Sequence, residues 1–349
     1  MNNLDEVIQV ISIGLIVAAF LLHTNRFLKA IELCKECLFI LKDRAGIKDE
    51  KISKSFYMRI CFIMWKAYSG ISDNTNAMKY AEKILQIYHE SGKRLEEYNL
   101  SVTLGEIYFD QRKYEQTKQV TDRALLISKE IGDRNGEASC YQNLATVYTS
   151  VDEYEKAREH LEKSLAIHKE IGDRNGEASC YRDLGNVYIS VDEYEKAREH
   201  LEKLLAIYKE IGDRNGEATC YENLGTVYGS VGEFEKAREH LEKSLPIHKE
   251  IGDRNGEATS YINLGNVYLS VGKYEKAREH LEKSLAISKE TGDRKGEATS
   301  YTNLGSVYQS VGKYEKAKEH LEKSLAVHKE IGDRNGEAAC YGSLGNMQG

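Results

Sequence analysis

Proline is all but absent from this chain of 349 residues, standing at Pro246 alone. An excess of basic charge is missing too: 49 Lys and Arg face 56 Asp and Glu, for a net charge of −7. A balance of that sign offers no basic face to nucleic acid. Nowhere do apolar and polar residues alternate as they do in a half-buried strand, which excludes sandwiches and barrels. Cys34 and Cys37 form a C-x2-C pair, but no second cysteine pair or suitably spaced histidine pair completes a zinc set. Both fall on the inward face of a predicted helix, and packed, reduced thiols fit the cytoplasm. The apolar stretch Val7–Leu22 has 16 residues, broken by Gln9 and Ser12, where a membrane span needs about 20. Acidic Asp5 and Glu6 precede it, unlike the basic start of a signal peptide. It reads as a buried helix, and no membrane span is expected.

What the chain does have is a period of forty residues. "EIGDRNGEA" starts at Glu130 and returns at Glu170, Glu210, Glu250 and Glu330, with a variant, "ETGDRKGEA", at Glu290. Between copies lie two apolar stripes at helical spacing. Ala138, Tyr141, Leu144, Ala145 and Tyr148 form the first; Tyr154, Ala157, Leu161, Leu165 and His168 form the second. Asp152 interrupts them, and Gly232, Gly272 and Gly312 occupy its place in sister copies. Both residue types tolerate the left-handed backbone that ends a helix. Each repeat is therefore two antiparallel helices. Gly132 ends the second helix, Asp133 or Asn135 caps the next, and Glu137 suits its first turn. The motif has no preceding strand and no following Lys-Ser/Thr, so it is a corner and not a phosphate loop.

Numbered with Tyr141 at position 4, the repeat has Leu144 at 7, Ala145 or its glycine counterparts at 8, Tyr148 at 11, Ala157 at 20 and Ser164-Leu165 at 27 and 28. This resembles the tetratricopeptide repeat (TPR) pattern Trp/Tyr-x2-Leu-Gly-x2-Tyr…Ala…Ala-Leu, lengthened from the usual 34 residues. The "NLGN.Y" and "EIGDRNGE" segments are similar to those of the Pins/LGN G-protein signalling modulators and of long TPR scaffolds that carry a C-terminal CHAT domain. The pattern weakens toward the N-terminus but keeps its phase through Leu104, Gly105 and Tyr108, then Met64 and Tyr68, then Phe27 and Ala30. The expected fold is all-α: a right-handed α-solenoid of antiparallel TPR helix pairs, with degenerate repeats over 1–97 and a regular array over 98–349 that ends in a half repeat. Its uncapped end would leave Tyr341 and Leu344 without partners, which suggests either a truncated array or pairing with another copy.

Repeats within one chain also compare with each other. The second helices are almost copies, whereas position 5 reads Gln142, Arg182, Glu222, Ile262, Thr302 and Gly342. Position 12 reads Thr149, Ile189, Gly229, Leu269 and Gln309; position 9 reads Thr146, Asn186, Thr226, Asn266, Ser306 and Asn346. Positions 5, 9 and 12 share a helix face, which the TPR resemblance places on the concave groove. Position 6 holds Asn143, Asn223, Asn263 and Asn303, with Asp183 and Ser343 departing. An asparagine amide both donates and accepts, and related TPR proteins hold extended peptides with such a ladder; a structural bond to a neighbouring helix is the other reading. The histidines of "EHLE" (His160, His200, His240, His280 and His320) read as a solvated face, with neither metal nor catalytic spacing. The function expected is non-catalytic: a cytoplasmic adaptor that needs no cofactor and takes a protein or peptide ligand in its groove. The alternative is a sensor arm whose effector, such as a CHAT domain, is missing.

Overall fold

The computed structural model describes residues 3–43 and 49–345; Asn346 and most of the inserted "AGIKDEK" segment lie outside them. The described residues form seventeen helices and no strand. They are α1 (Asn3–His23), α2 (Phe27–Asp43), α3 (Glu50–Gly70), α4 (Asn74–Glu90), α5 (Arg94–Asp110), α6 (Tyr114–Ile131), α7 (Arg134–Ser150), α8 (Tyr154–Ile171), α9 (Arg174–Ser190), α10 (Tyr194–Ile211), α11 (Arg214–Ser230), α12 (Phe234–Ile251), α13 (Arg254–Ser270), α14 (Tyr274–Thr291), α15 (Arg294–Ser310), α16 (Tyr314–Ile331) and α17 (Arg334–Gly345). The chain divides into two compact units, Met1–Ile167 and His168–Gly349, each described by itself below.

Two kinds of corner generate the repeat. At the first, Asp152 adopts φ 59° and Gly232 φ 80°, and Glu153 N donates to Tyr148 O at 2.9 Å. At the second, Gly132 adopts φ 73° and Asp133 caps α7, its Oδ1 accepting from Gly136 N at 2.9 Å. Asp133 is thus the cap, and Asn135 is left exposed.

Within the first unit α1 packs on α2, α3 on α4 and α5 on α6, and each second helix packs on the following first helix. Within the second unit α9 pairs with α10, α11 with α12, α13 with α14 and α15 with α16. The helices of a pair come close because position 8 is glycine. A methyl at Gly225 would sit 2.7 Å from Leu241 Cγ and 3.2 Å from Ala237 O. Position 20 is alanine and position 24 leucine for the same reason: Ala197, Leu201 and Leu204 of α10 are almost wholly buried. Each such leucine contributes about 1.5–3 kcal/mol of burial.

Two expectations about the N-terminus fare differently. Cys34 and Cys37 are buried as packed thiols, and burial pushes the Cys34 thiol up to about 12. α1, read as a buried helix, is buried on one face only. Val7, Ile11, Leu15 and Ala18 join the core with Ala30, Cys34, Ile60 and Met64, while Val10, Ile13, Ile16 and Phe20 are exposed. Asp5–His23 is long and apolar enough to cross a membrane, with 22% of it buried. The physical reason is that α1 packs on α2 and α3, and no other described helix covers its far side to a comparable extent.

At the other end, Tyr341 is 53% exposed where its counterpart Tyr301 is 8% exposed. Leu344 is half-buried while Leu304 is buried. Pro246 does not break its helix: α12 runs through it for 18 residues, the same length as α10 and α14.

Candidate peptide groove

In the second unit the first helices α11, α13 and α15 touch one another in turn, and no comparable contact joins α12, α14 and α16. The first helices therefore lie on the inner side of this unit. Their open stripe runs through positions 2, 6, 9 and 13, for example Thr259, Asn263, Asn266 and Ser270 of α13. In a chain with 30% charged residues, that stripe of α13 is uncharged. Its hydroxyls spend their protons on their own helix: Thr259 Oγ1 donates to Asn255 O at 3.0 Å and Ser270 Oγ to Asn266 O at 3.0 Å. The amides of Asn223, Asn263 and Asn303 make no hydrogen bond to any described residue, so the structural bond weighed above is not made. A cavity of about 250 Å³ opens beside Asn263, lined also by Gly225, Thr226, Gly229, Phe234, Leu241 and Asn266.

α9 differs. Arg182 Nε lies 3.3 Å from Asp183 Oδ1, so the departing position 6 is neutralised within its own helix. Burial pushes the Asp183 carboxyl up and Arg182 opposes the shift. Asn186 is exposed and Ile189 half-buried. In the first unit Asn143 and Thr146 are exposed, while Gln142 and Thr149 are half-buried. Thr149 Oγ1 donates to Ala145 O at 2.9 Å.

The tetratricopeptide repeat family profile matches residues 96–170, 147–210, 176–250, 216–290 and 296–349, well over half of the chain. The chain belongs to the tetratricopeptide repeat family. A comparison with curated proteins returned no match. Among solved structures it is similar to the apo form of RapI (TM-score 0.62, 16% identity, 97% of each chain covered). It is also similar to BtubC (BKLC) from P. vanneervenii (TM-score 0.56, 21% identity, 63% of this chain and 92% of that one). A third likeness is to the STAND protein PH0952 from Pyrococcus horikoshii, which has a tetratricopeptide repeat sensor (TM-score 0.58, 16% identity, 89% of this chain and 54% of that one). At these identities the likeness is one of fold.

The TPR framework explains why position 5 stands apart from positions 6 and 9. At Glu222 and Thr302 it turns toward the adjoining helices. Glu222 accepts from Ser260 Oγ at 2.6 Å and lies 3.3 Å from His248 Nε2, leaving its side chain 14% exposed. Thr302 of α15 pairs with Ser324 of α16 at 2.7 Å, whereas Arg182 is 49% exposed and donates to Ser179 Oγ of its own helix at 3.0 Å. Position 12 flanks the stripe: Gly229 helps to line the cavity, and Leu269 and Gln309 are half-buried.

The histidines of "EHLE" are a correction. They are not a solvated face: His200 packs between Tyr181 and Tyr188, with ring centres 5.9 and 5.1 Å away, and its Nδ1–H donates to Lys196 O at 2.8 Å. The same arrangement recurs at His240, His280 and His320.

Sequence reasoning missed a further element of this TPR array. Arg214, Arg254 and Arg294 each hold a buried glutamate three residues on (Glu217, Glu257 and Glu297), and each also holds the glutamate 36 residues on (Glu250, Glu290 and Glu330). All three charges belong to successive copies of "EIGDRNGE". The recurrence of that arginine and both glutamates at fixed spacing was the available signal.

Proposed function

We propose that this chain is a non-catalytic interaction scaffold and that the inner face of its second unit holds an extended segment of a partner protein. The observation that carries this reading is the row of unpaired amides at Asn223, Asn263 and Asn303, one per repeat, on an uncharged strip. A peptide backbone offers the N–H and C=O groups that such amides satisfy. Helices pack about 8–10 Å apart and an extended chain advances about 3.3 Å per residue, so each repeat reads roughly three residues. Recognition through the backbone leaves side-chain selection to Ile189, Leu269 and Gln309 beside the strip.

The test is selection of binders from a random peptide library displayed on phage, using the whole chain as bait. Replacing Asn223, Asn263 and Asn303 together with alanine is expected to abolish their binding and leave the thermal melt unchanged. Undiminished binding to the triple variant overturns the reading. A second reading, a sensor arm joined to an effector such as a CHAT domain, has its support in the fold likeness to the STAND protein with its TPR sensor. The coding sequence beyond Gly349 distinguishes the two.

A further inference from the structure

Position 12 carries a side chain in Phe109, Thr149, Ile189, Leu269 and Gln309, but none in Gly229. A glycine inside a helix lowers its stability, and most of those here answer a close neighbour. Gly229 does not: a methyl built on it would meet no neighbouring atom within 4 Å. It lines the cavity of about 250 Å³ between α11, α12 and α13. A depression of the same kind lies beside Gly105 in the first unit, so the depression belongs to the repeat and not to this glycine. What differs is the lining. The first-unit depression has Phe109 at position 12 and the carboxylates of Glu106 and Asp110, and it measures about 150 Å³.

The second-unit lining carries no charged side chain among its described residues. Leu241 and Val267, both buried, form its apolar wall together with the half-buried ring of Phe234. Sister repeats have tyrosine in place of Phe234 (Tyr194, Tyr274 and Tyr314), so this ring comes without a hydroxyl. The hydroxyl protons of the lining are already spent. Thr226, Ser230 and Ser270 donate theirs to Glu222 O, Thr226 O and Asn266 O at 3.0, 3.1 and 3.0 Å. A charged head entering here would give up water and find no counter-charge, whereas an apolar group gains by leaving water.

We infer that this cavity receives a large apolar side chain (leucine, methionine or phenylalanine) of the bound peptide. That side chain lies against Leu241, Val267 and Phe234 and over the bare backbone of Gly229, while the amides of Asn223 and Asn263 hold the peptide backbone on either side of it. Roughly 150 Å³ of apolar space holds a benzene ring, so about 250 Å³ admits such a side chain. The inference rests on the peptide-scaffold reading above and gives the partner a chemistry: an extended segment with an apolar anchor at a fixed place.

The experiment uses the same phage-displayed random library with the whole chain as bait. Wild type is expected to enrich leucine, methionine or phenylalanine at one peptide position by roughly tenfold over the unselected library. Gly229→Leu and Gly229→Gln take the residue types of the sister positions Leu269 and Gln309 and fill the space. Both should lose that enrichment while still selecting peptides that depend on the asparagine row. Both should also melt no lower than wild type, because position 229 has room for a side chain and gains a better helix former. A selected peptide with alanine in place of its apolar residue should bind wild type roughly tenfold more weakly than its parent, and should bind Gly229→Leu as the parent does. Peptides that depend on the asparagine row but show no apolar preference, or a preference that survives both variants, overturn this inference alone. Failure to select any peptide counts against the scaffold reading and this inference together.

Discussion

Arg254 Nη2 donates to Glu290 Oε2 at 2.7 Å, across one helix pair, while Nη1 of the same guanidinium holds the buried Glu257. One planar fork thus ties the first turn of α13 to the last turn of α14. A lysine, with a single point charge, could not serve both carboxylates as well.

Loss of Arg254 should accordingly cost more than loss of its outer partner. Arg254→Ala leaves the buried Glu257 with only Lys249 for a counter-charge, 3.7 Å away and half exposed, whereas Glu290 is 63% exposed and regains water when freed. In urea melts the expected order of midpoints is wild type, then Glu290→Ala, then Arg254→Lys, then Arg254→Ala. An Arg254→Ala midpoint at or above that of Glu290→Ala would show that the arginine is a surface ornament.

His248 makes one seam sensitive to pH. Its Nε2 faces Glu222 at 3.3 Å and its Nδ1 faces Asp253 at 3.1 Å. The bond to Glu222 raises its pKa most, against the opposing effect of burial. A raised folded value means that the folded chain holds this proton more tightly than the unfolded one. The added stability is therefore complete below about 6.5, the ordinary histidine value, and is lost as pH rises through the folded value. Glu222→Gln should flatten that segment of the stability profile, and the difference from wild type cancels other groups such as His240, whose pKa burial lowers. Parallel wild-type and variant profiles through this range would remove Glu222 as the cause.

Pro246 should be a local weakness in α12. It removes the hydrogen bond to the Glu242 carbonyl, and its ring crowds the preceding turn, at up to about 3 kcal/mol in a helix interior. The sister residues Ala206, Ala286 and Ala326 show what the position accepts. Pro246→Ala is expected to raise the melting temperature; an unchanged melt would mean that the neighbouring helices already compensate.

Substitutions at position 8 should separate by room. A methyl on Gly185 would meet Leu201 at 3.3 Å, whereas on Gly225 it would meet Leu241 at 2.7 Å. Either change gains about 1 kcal/mol of helix propensity, and overpacking costs roughly 1–3 kcal/mol. Gly185→Ala should be neutral or stabilising, as Ala145 suggests, and Gly225→Ala destabilising by calorimetry. Equal melting temperatures would sink the steric account.

The sequence by itself determined the helix pairs, their corners and the face each helix buries. Those features follow from short-range rules: apolar spacing at helical period, a glycine or aspartate that accepts positive φ, an aspartate that caps. It also placed the asparagines on the inner helix, because a repeat carries its register along the chain. Tertiary structure alone decided what depends on side chains meeting across a seam. Position 5 varies as a ligand-reading position would, yet in the second unit Glu222 and Thr302 find their partners in the adjoining helices; periodicity cannot tell a seam from a groove when both lie on neighbouring strips of one helix. The same holds for the arginine that bridges 36 residues, the histidine between two tyrosines and the outer face of α1.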